Sequence, residues 1–285
     1  MMTIIGFGVV VVAIVGGYLM EHGNLSVLYQ PAELVIIGGA AVGAFLISAP
    51  SKVVSQVGRS IGTVFSTRNH GKTHYIELLC LLYQVFSKIR KEGLISIEAD
   101  IEHPEQSPLF KRFPSISKEK HLLNFICDNL KVIITTSIPP HELDGLLDIE
   151  IETGNHEAMV PSHALTTIAD GLPGLGIVAA VLGIVLTMGK IDQPPAVLGQ
   201  SIGAALVGTF LGILLCYGFV GPMAANLGYK AKEEEVSYQV IKLAIVAFVG
   251  GSAPQIAVEF GRRAIPGDDK PSFAELEKAV RSAPK

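Results

Sequence analysis

At 285 residues, with 49% hydrophobic and only 17% charged side chains, the chain has the make-up of a membrane protein rather than of soluble domains. Its formal net charge of −4 provides no broad basic surface, which argues against nucleic acid as a partner. Three scattered cysteines, Cys80, Cys127 and Cys216, form neither a disulfide framework nor a metal-ligand spacing, so free thiols are expected.

Residues 1–20 are uncharged and long enough to cross a bilayer. They lack the positive n-region and cleavage site of a signal peptide, so a retained span is expected. Residues 21–33 form a short polar connection, and residues 34–50 supply a second, rather short apolar run whose Gly38, Gly39 and Gly43 give it a thin face. Lys52, Arg59, Arg68 and Lys72 then arrive before any further acidic residue, which places the end of that span in the cytoplasm. Residues 51–169 read as a helical cytoplasmic domain. Within it Leu78, Leu79, Leu82, Val85, Phe86 and Ile89 follow helical spacing, and another helix is expected around 122–134. Pro139 and Pro140 suit the start of a helix running toward Glu157.

The third span, 170–189, is followed by a loop at 190–197 and a fourth span at 198–222. Lys230 and Lys232 flank the far end of the fourth span and again point to the cytoplasm. The C-terminal residues 223–285 should be helical: an amphipathic stretch at 232–249, a Gly-Gly break, then SFAE at 272–275 as a capping box. The expected fold class is all-α, a polytopic membrane protein with four transmembrane helices, a helical cytoplasmic domain and both termini inside.

The fourth span carries the most information. No Asp, Glu, Lys or Arg occurs between Asp192 and Lys230, and Gly199 with Gly203, like Gly208 with Gly212, bare one helix face for close packing. Pro222 is expected to close this helix. Thr209 lies thirteen residues earlier, about 20 Å along the axis. Its hydroxyl either bonds the carbonyl one turn back or faces a wetted groove beside a partner helix. Ala180, seven residues after Pro173, is either plain packing or a small residue lining that groove. Pro173 and Pro222 are either ordinary helix-end prolines or a matched hinge at one membrane depth. Arg90 and Glu98 sit among mixed charges, which form a solvated face or fix the register of a partner.

The cores of the third and fourth spans hold no Asp, Glu, Lys, Arg or His, and Glu33 and Asp170 are expected at span ends within reach of water. An ion route would therefore need its carboxylate from a partner. His22, His70, His74, His103, His121, His141, His156 and His163 are dispersed, and no phosphate loop, zincin motif or nucleophile elbow is present. No active site, metal or cofactor is expected.

Several long stretches together resemble the MotA family of flagellar stator subunits. They are YQPAELVII at 29–37, GLPGLGIVAAV at 171–181, VGTFLGILL at 207–215 with YGF at 217–219, APQIAVEFGR at 253–262 and PSFAELE at 271–277. The resemblance covers nearly the whole chain, although much of the cytoplasmic domain diverges. It implies a ring of five such chains around two copies of MotB, a single-span partner carrying the ion-binding aspartate. Protons, or alternatively sodium ions, would pass along the interface and drive rotation against the rotor protein FliG, within the lipid of the bacterial inner membrane. By the same resemblance Thr209 and Ala180 line the ion route, Pro173 and Pro222 couple it to movement, and Arg90 and Glu98 face the rotor. The related TolQ/ExbB class is the alternative; its members usually have three spans.

Overall fold

A computed structural model describes residues 2–66 and 71–282. Arg68 and His70 lie outside the described residues. In chain order the helices are α1 (Met2–Met20), α2 (Leu25–Leu28), α3 (Pro31–Ser48), α4 (Ser51–Val64), α5 (Lys72–Glu92), α6 (Glu98–Glu102), α7 (Pro108–Lys111), α8 (Pro114–Ser117) and α9 (Lys120–Thr135). They continue as α10 (Pro140–Met188), α11 (Pro195–Leu214), α12 (Gly221–Val249), α13 (Pro254–Ala264) and α14 (Phe273–Ser282). A 3₁₀ turn at Leu94–Ile97 precedes α6, and a π-helical turn at Leu215–Val220 joins α11 to α12. Four helical stretches are long and apolar enough to cross a membrane: Met2–Met20, Leu25–Ser48, Pro140–Met188 and Pro195–Val249. The described residues form no strand, so the all-α reading stands.

Two sequence expectations change here. The helix opening at Pro140 does not stop near Glu157 but runs 49 residues to Met188, through Pro161 and Pro173. Pro222 does not close the fourth span either, because it is the second residue of α12, and the amphipathic stretch at 232–249 continues that same helix. An interior proline removes one hydrogen bond. Both helices carry that loss rather than breaking.

The chain divides into two compact units, Met1–Thr67 with Ala158–Lys230 and Arg68–Glu157 with Ala231–Lys285. In the first, α1 buries none of its residues, and Val35 and Ile47 of α3 are 72% and 90% exposed. Such apolar surfaces suit lipid or neighbouring chains. The first unit is drawn together along α10 and α11. A Cβ added to Gly212 would lie 2.6 Å from the Leu172 carbonyl oxygen and 2.8 Å from the Gly176 Cα, and one on Gly183 would lie 2.7 Å from the Ala205 Cβ. Only glycine permits this approach. Gly208 and Gly212 are thus used as expected, whereas Gly38, Gly39, Gly43 and Gly199 have open space within 4 Å. Below the seam Ser162 Oγ donates to the Ala224 carbonyl at 2.8 Å. Lys230 Nζ donates to the carbonyls of Thr63 and Ser66 at the end of α4, where a cation suits the helix terminus.

The second unit is an ordinary helical core. Leu78, Leu79, Leu82, Val85, Phe86 and Ile89 of α5 are all buried, as their spacing predicts, and Phe86 stacks on Phe248 with ring centroids 4.4 Å apart. Helix α13 packs on both α5 and α12 at Gly261, where a Cβ would lie 3.2 Å from Leu79 Cδ2 and 2.9 Å from the Val240 carbonyl oxygen. Lys242, 7% exposed, is paired with Asp144 at 2.9 Å and Asp148 at 2.6 Å. The capping box at Ser272 forms reciprocally: Glu275 N–H donates to Ser272 Oγ at 3.2 Å, and Ser272 N–H donates to Glu275 Oε2 at 2.6 Å.

The seam has a direct test. Gly212→Ala should destabilise the detergent-extracted protein by about 2 kcal/mol, because backbone rather than a flexible side chain must give way. Gly38→Ala, with open space around it, should leave the melting temperature unchanged or slightly raised. Equal melting temperatures for the two variants would contradict a glycine-dependent seam.

Candidate functional site

The glycine seam gathers two of the residues singled out from sequence. Ala180 is 9% exposed, and its backbone nitrogen would lie 3.0 Å from a Cβ on Gly208, the residue before Thr209. Thr187 Oγ1 donates to the Gly183 carbonyl at 2.8 Å, and Thr166 and Thr167 bond back one turn in the same way. Among the described residues, Thr209 makes no such bond, so the simple back-bonded reading of its hydroxyl does not hold.

Pro173 and Pro222 do not share a depth. Leu172 lies against Gly212 and Ser162 against Ala224, so along these antiparallel segments Pro222 stands near residues 162–166 of α10. That is two to three turns, roughly 13 Å, from Pro173. The sequence reading placed both prolines at span ends, but both helices continue past them. The proline closest to the level of Pro222 is Pro161, beside Ser162, and it was not singled out.

Pro222 instead marks a local change of winding. Across Leu215–Val220 the helix is π, and the Gly221 N–H donates to the Cys216 carbonyl, five residues back. Proline has no N–H and its ring crowds the carbonyl four residues earlier, here that of Gly218. Widening the preceding turn by one residue relieves that crowding. Single π turns of this sort recur at functional sites. Helix α1 packs on the same turn through Phe7 and Phe219, with ring centroids 5.2 Å apart.

Glu33 is the residue that sequence reasoning misplaced. It was expected in water at a span end, yet it is 8% exposed, and its Oε2 is buried with no hydrogen-bond partner. Glu33, Ile37 and Ala41 are the buried residues of α3, and their spacing of four makes one inward stripe. That spacing, with Ile37 and Ala41 both apolar, was the available signal. Asp170, by contrast, is exposed as expected.

In the second unit Arg90 and Glu98 are both exposed. Gly93, at φ 89°, ends α5 and turns the chain into the 3₁₀ segment, so the two charges flank one corner that also bears Ile95, 75% exposed. Lys88 and Ser107 fix the corner from behind by binding Asp100 at 2.7 and 2.6 Å. Beside it lies a cleft of about 1000 Å³ bordered by Lys88, Arg112, Glu259 and Phe273. Arg262 donates to both oxygens of Glu259 at 2.6 and 2.7 Å, and these bonds hold the Glu259 carboxyl below its usual range. Burial pushes the thiols of Cys80 and Cys127 up to about 11 and about 12, and all three cysteines are buried and free. Among the described residues no cluster of three metal-ligating side chains occurs, and His74 is buried against Ser237 and Glu119.

Residues 4–93 match the motility protein A N-terminal family, and residues 117–240 match the MotA/TolQ/ExbB proton channel family. The chain is 44% identical over 282 residues to motility protein A of Salmonella typhimurium, covering 99% of this chain and 96% of that protein. The chain belongs to the motility protein A family. It is also 36% identical over 278 residues to the chemotaxis protein LafT of Vibrio parahaemolyticus, with 98% of each covered. Its fold matches the C. jejuni MotAB structure with a TM-score of 0.79 at 20% identity, covering 95% of this chain and 98% of that one. It matches the flagellar MotAB stator complex of Bacillus subtilis at 0.76 and 24% identity, covering 96% and 99%.

Two measurements follow. Pro222→Ala restores a backbone donor and should increase amide-exchange protection at residues 216–221; unchanged exchange would mean that the proline does not maintain the π turn. Glu259 has a depressed carboxyl pKa, so its contribution to stability is complete above the ordinary value of 4.5 and is lost as pH falls through the lower folded value. Glu259→Gln should therefore lower the melting temperature at pH 7, and the gap from the wild type should narrow below pH 4.5.

Proposed function

We propose that the chain is the membrane-embedded, force-transmitting subunit of a bacterial flagellar stator. The observation that carries this reading is the 44% identity to motility protein A along 99% of the chain. Residues 4–93 weigh against the TolQ/ExbB alternative, because they match the motility protein A N-terminal family. In this reading the chain sits in the inner membrane with both termini in the cytoplasm. Lys52 and Arg59 after α3, and Lys230 and Lys232 on α12, support that orientation. It has no catalytic role.

The exposed apolar face of α1 supports assembly with further copies, five around two single-span MotB-type partners. The carboxylate at the centre of the route comes from that partner. Protonating it removes a charge that is costly in lipid, and the ring then settles into a different register. Five subunits around two cannot all be satisfied at once, so each proton leaves one interface strained and ready to move. The membrane potential supplies about 2.3 kcal/mol per charge per 100 mV, several times thermal energy. Thr209 and Ala180 line the route for protons, with sodium ions as the alternative. Pro173, Pro222 and the π turn provide flexible points along α10 and α12. Arg90 and Glu98 stand at an exposed corner suited to pushing on FliG.

Deleting the gene should leave cells with intact filaments that do not turn; cells that swim normally without it or any second stator would overturn the reading. Arg90→Glu or Glu98→Lys should reduce torque in tethered cells while leaving proton conduction by the complex intact. Loss of both together would remove these residues from rotor contact.

A further inference from the structure

The carboxyl group of Glu33 is an anomaly for a lipid-embedded bundle, because an ionisable side chain there is costly unless it is paired or used. It enters the α10–α11 seam from the first turn of α3. A Cβ on Gly208 would lie 2.6 Å from its Oε2, and one on Gly183 would lie 3.6 Å from its Oε1. Glycine at both positions leaves the space the carboxyl occupies. Oε2 has no hydrogen-bond partner, although the residue is 8% exposed. A purely structural acid in such a place would be expected to bond a neighbouring backbone group.

The surroundings form a polar trail. At the loop joining α10 to α11, Lys190 Nζ lies 3.5 Å from Ser201 Oγ. Three residues back along α10 comes Thr187, 5% exposed, bonded to the Gly183 carbonyl. Glu33 lies against Gly183, seven residues and about 10 Å along the helix from Lys190. On its other side is Gly208, immediately before Thr209. Glu33 thus stands between the α10–α11 loop and the Ala180–Thr209 stretch of the seam.

We propose that Glu33 is a proton-binding site of this chain itself, in series with the carboxylate of the single-span partner. A proton arriving from the α10–α11 loop side adds to a carboxylate oxygen of Glu33, neutralising it within the seam. It then leaves that oxygen for the next acceptor along the route, and the carboxylate is regenerated. Only one O–H bond forms and breaks. A single carboxyl flanked by glycine and alanine suits a proton, whereas a metal ion would require several oxygen ligands. This revises the expectation that the chain contributes no carboxyl group of its own to the route.

The inference rests on the stator reading, and the test separates the two. The complex with its MotB-type partner is reconstituted in vesicles holding a pH-sensitive dye, and proton flux is followed under an applied potential. Glu33→Gln keeps the shape and hydrogen-bonding capacity but cannot exchange a proton. It should lower flux by about 100-fold, the contribution of one positioned proton-transfer group, with an unchanged yield of complex. Glu33→Asp should retain most of the flux, and Glu21→Gln, at an exposed position, should retain all of it. A conducting wild type beside an equally conducting Glu33→Gln overturns this inference alone. A wild type that conducts nothing overturns the stator reading and this inference with it. If Glu33→Gln does not assemble, infrared difference spectra of the wild type under flux decide. A buried-carboxyl band that shifts with isotope-labelled glutamate supports the site, and the lack of such a band overturns it.

Discussion

The packing of α10 against α11 depends on backbone meeting backbone. At Gly176 and Gly212 the two helices come closer than any pair bearing side chains allows, and in lipid such contact replaces the hydrophobic drive available in water. Several features follow from this approach. Helix α3 is left to cover the remaining groove with Glu33, Ile37 and Ala41, and Ala180 is carried to the neighbourhood of Thr209. The cluster around Ala169, Leu172, Ala179 and Cys216 packs around the same line. Loosening that line would disturb the surroundings of Ala180 and the pocket of the buried acid together.

A tight seam above is combined with two helices that continue beyond it. Helix α10 and the Pro195–Val249 stretch run without a loop for 49 and 55 residues respectively. Regular helix is stiff, and each path has its own softened place: Pro161 and Pro173 in α10, the π turn before Pro222 in the other. Near the α5–α6 turn, Lys88 and Ser107 both bind Asp100 and hold the exposed corner firm.

Much of this was legible from local pattern. The apolar positions of α5 are buried as their spacing indicates, the capping box at Ser272 forms in both directions, and four helical stretches have the length and composition to span a membrane. Helix ends were misread because a single proline removes only one hydrogen bond, which a long helix packed on its neighbours carries. Glu33 was misread because its place near a span end says nothing about lateral cover, which α10 and α11 supply from more than 140 residues further along the chain. Gly176 and Gly183 went unnoticed among other glycines for the same reason. Whether a bare face is used depends on what lies opposite it, as the open Gly38, Gly39 and Gly43 demonstrate.

The cysteines carry a practical consequence. Reactivity toward maleimides and related reagents belongs to the thiolate, and it requires access. Cys80, Cys127 and Cys216 are each no more than 4% exposed, and burial holds the first two thiols far from ionisation at neutral pH. The native protein is therefore a silent background for chemical labelling. A single cysteine placed at Ile95 would take up a fluorophore or cross-linker alone, without prior removal of the natural three, so the corner beside Arg90 is open to distance measurements in the intact assembly.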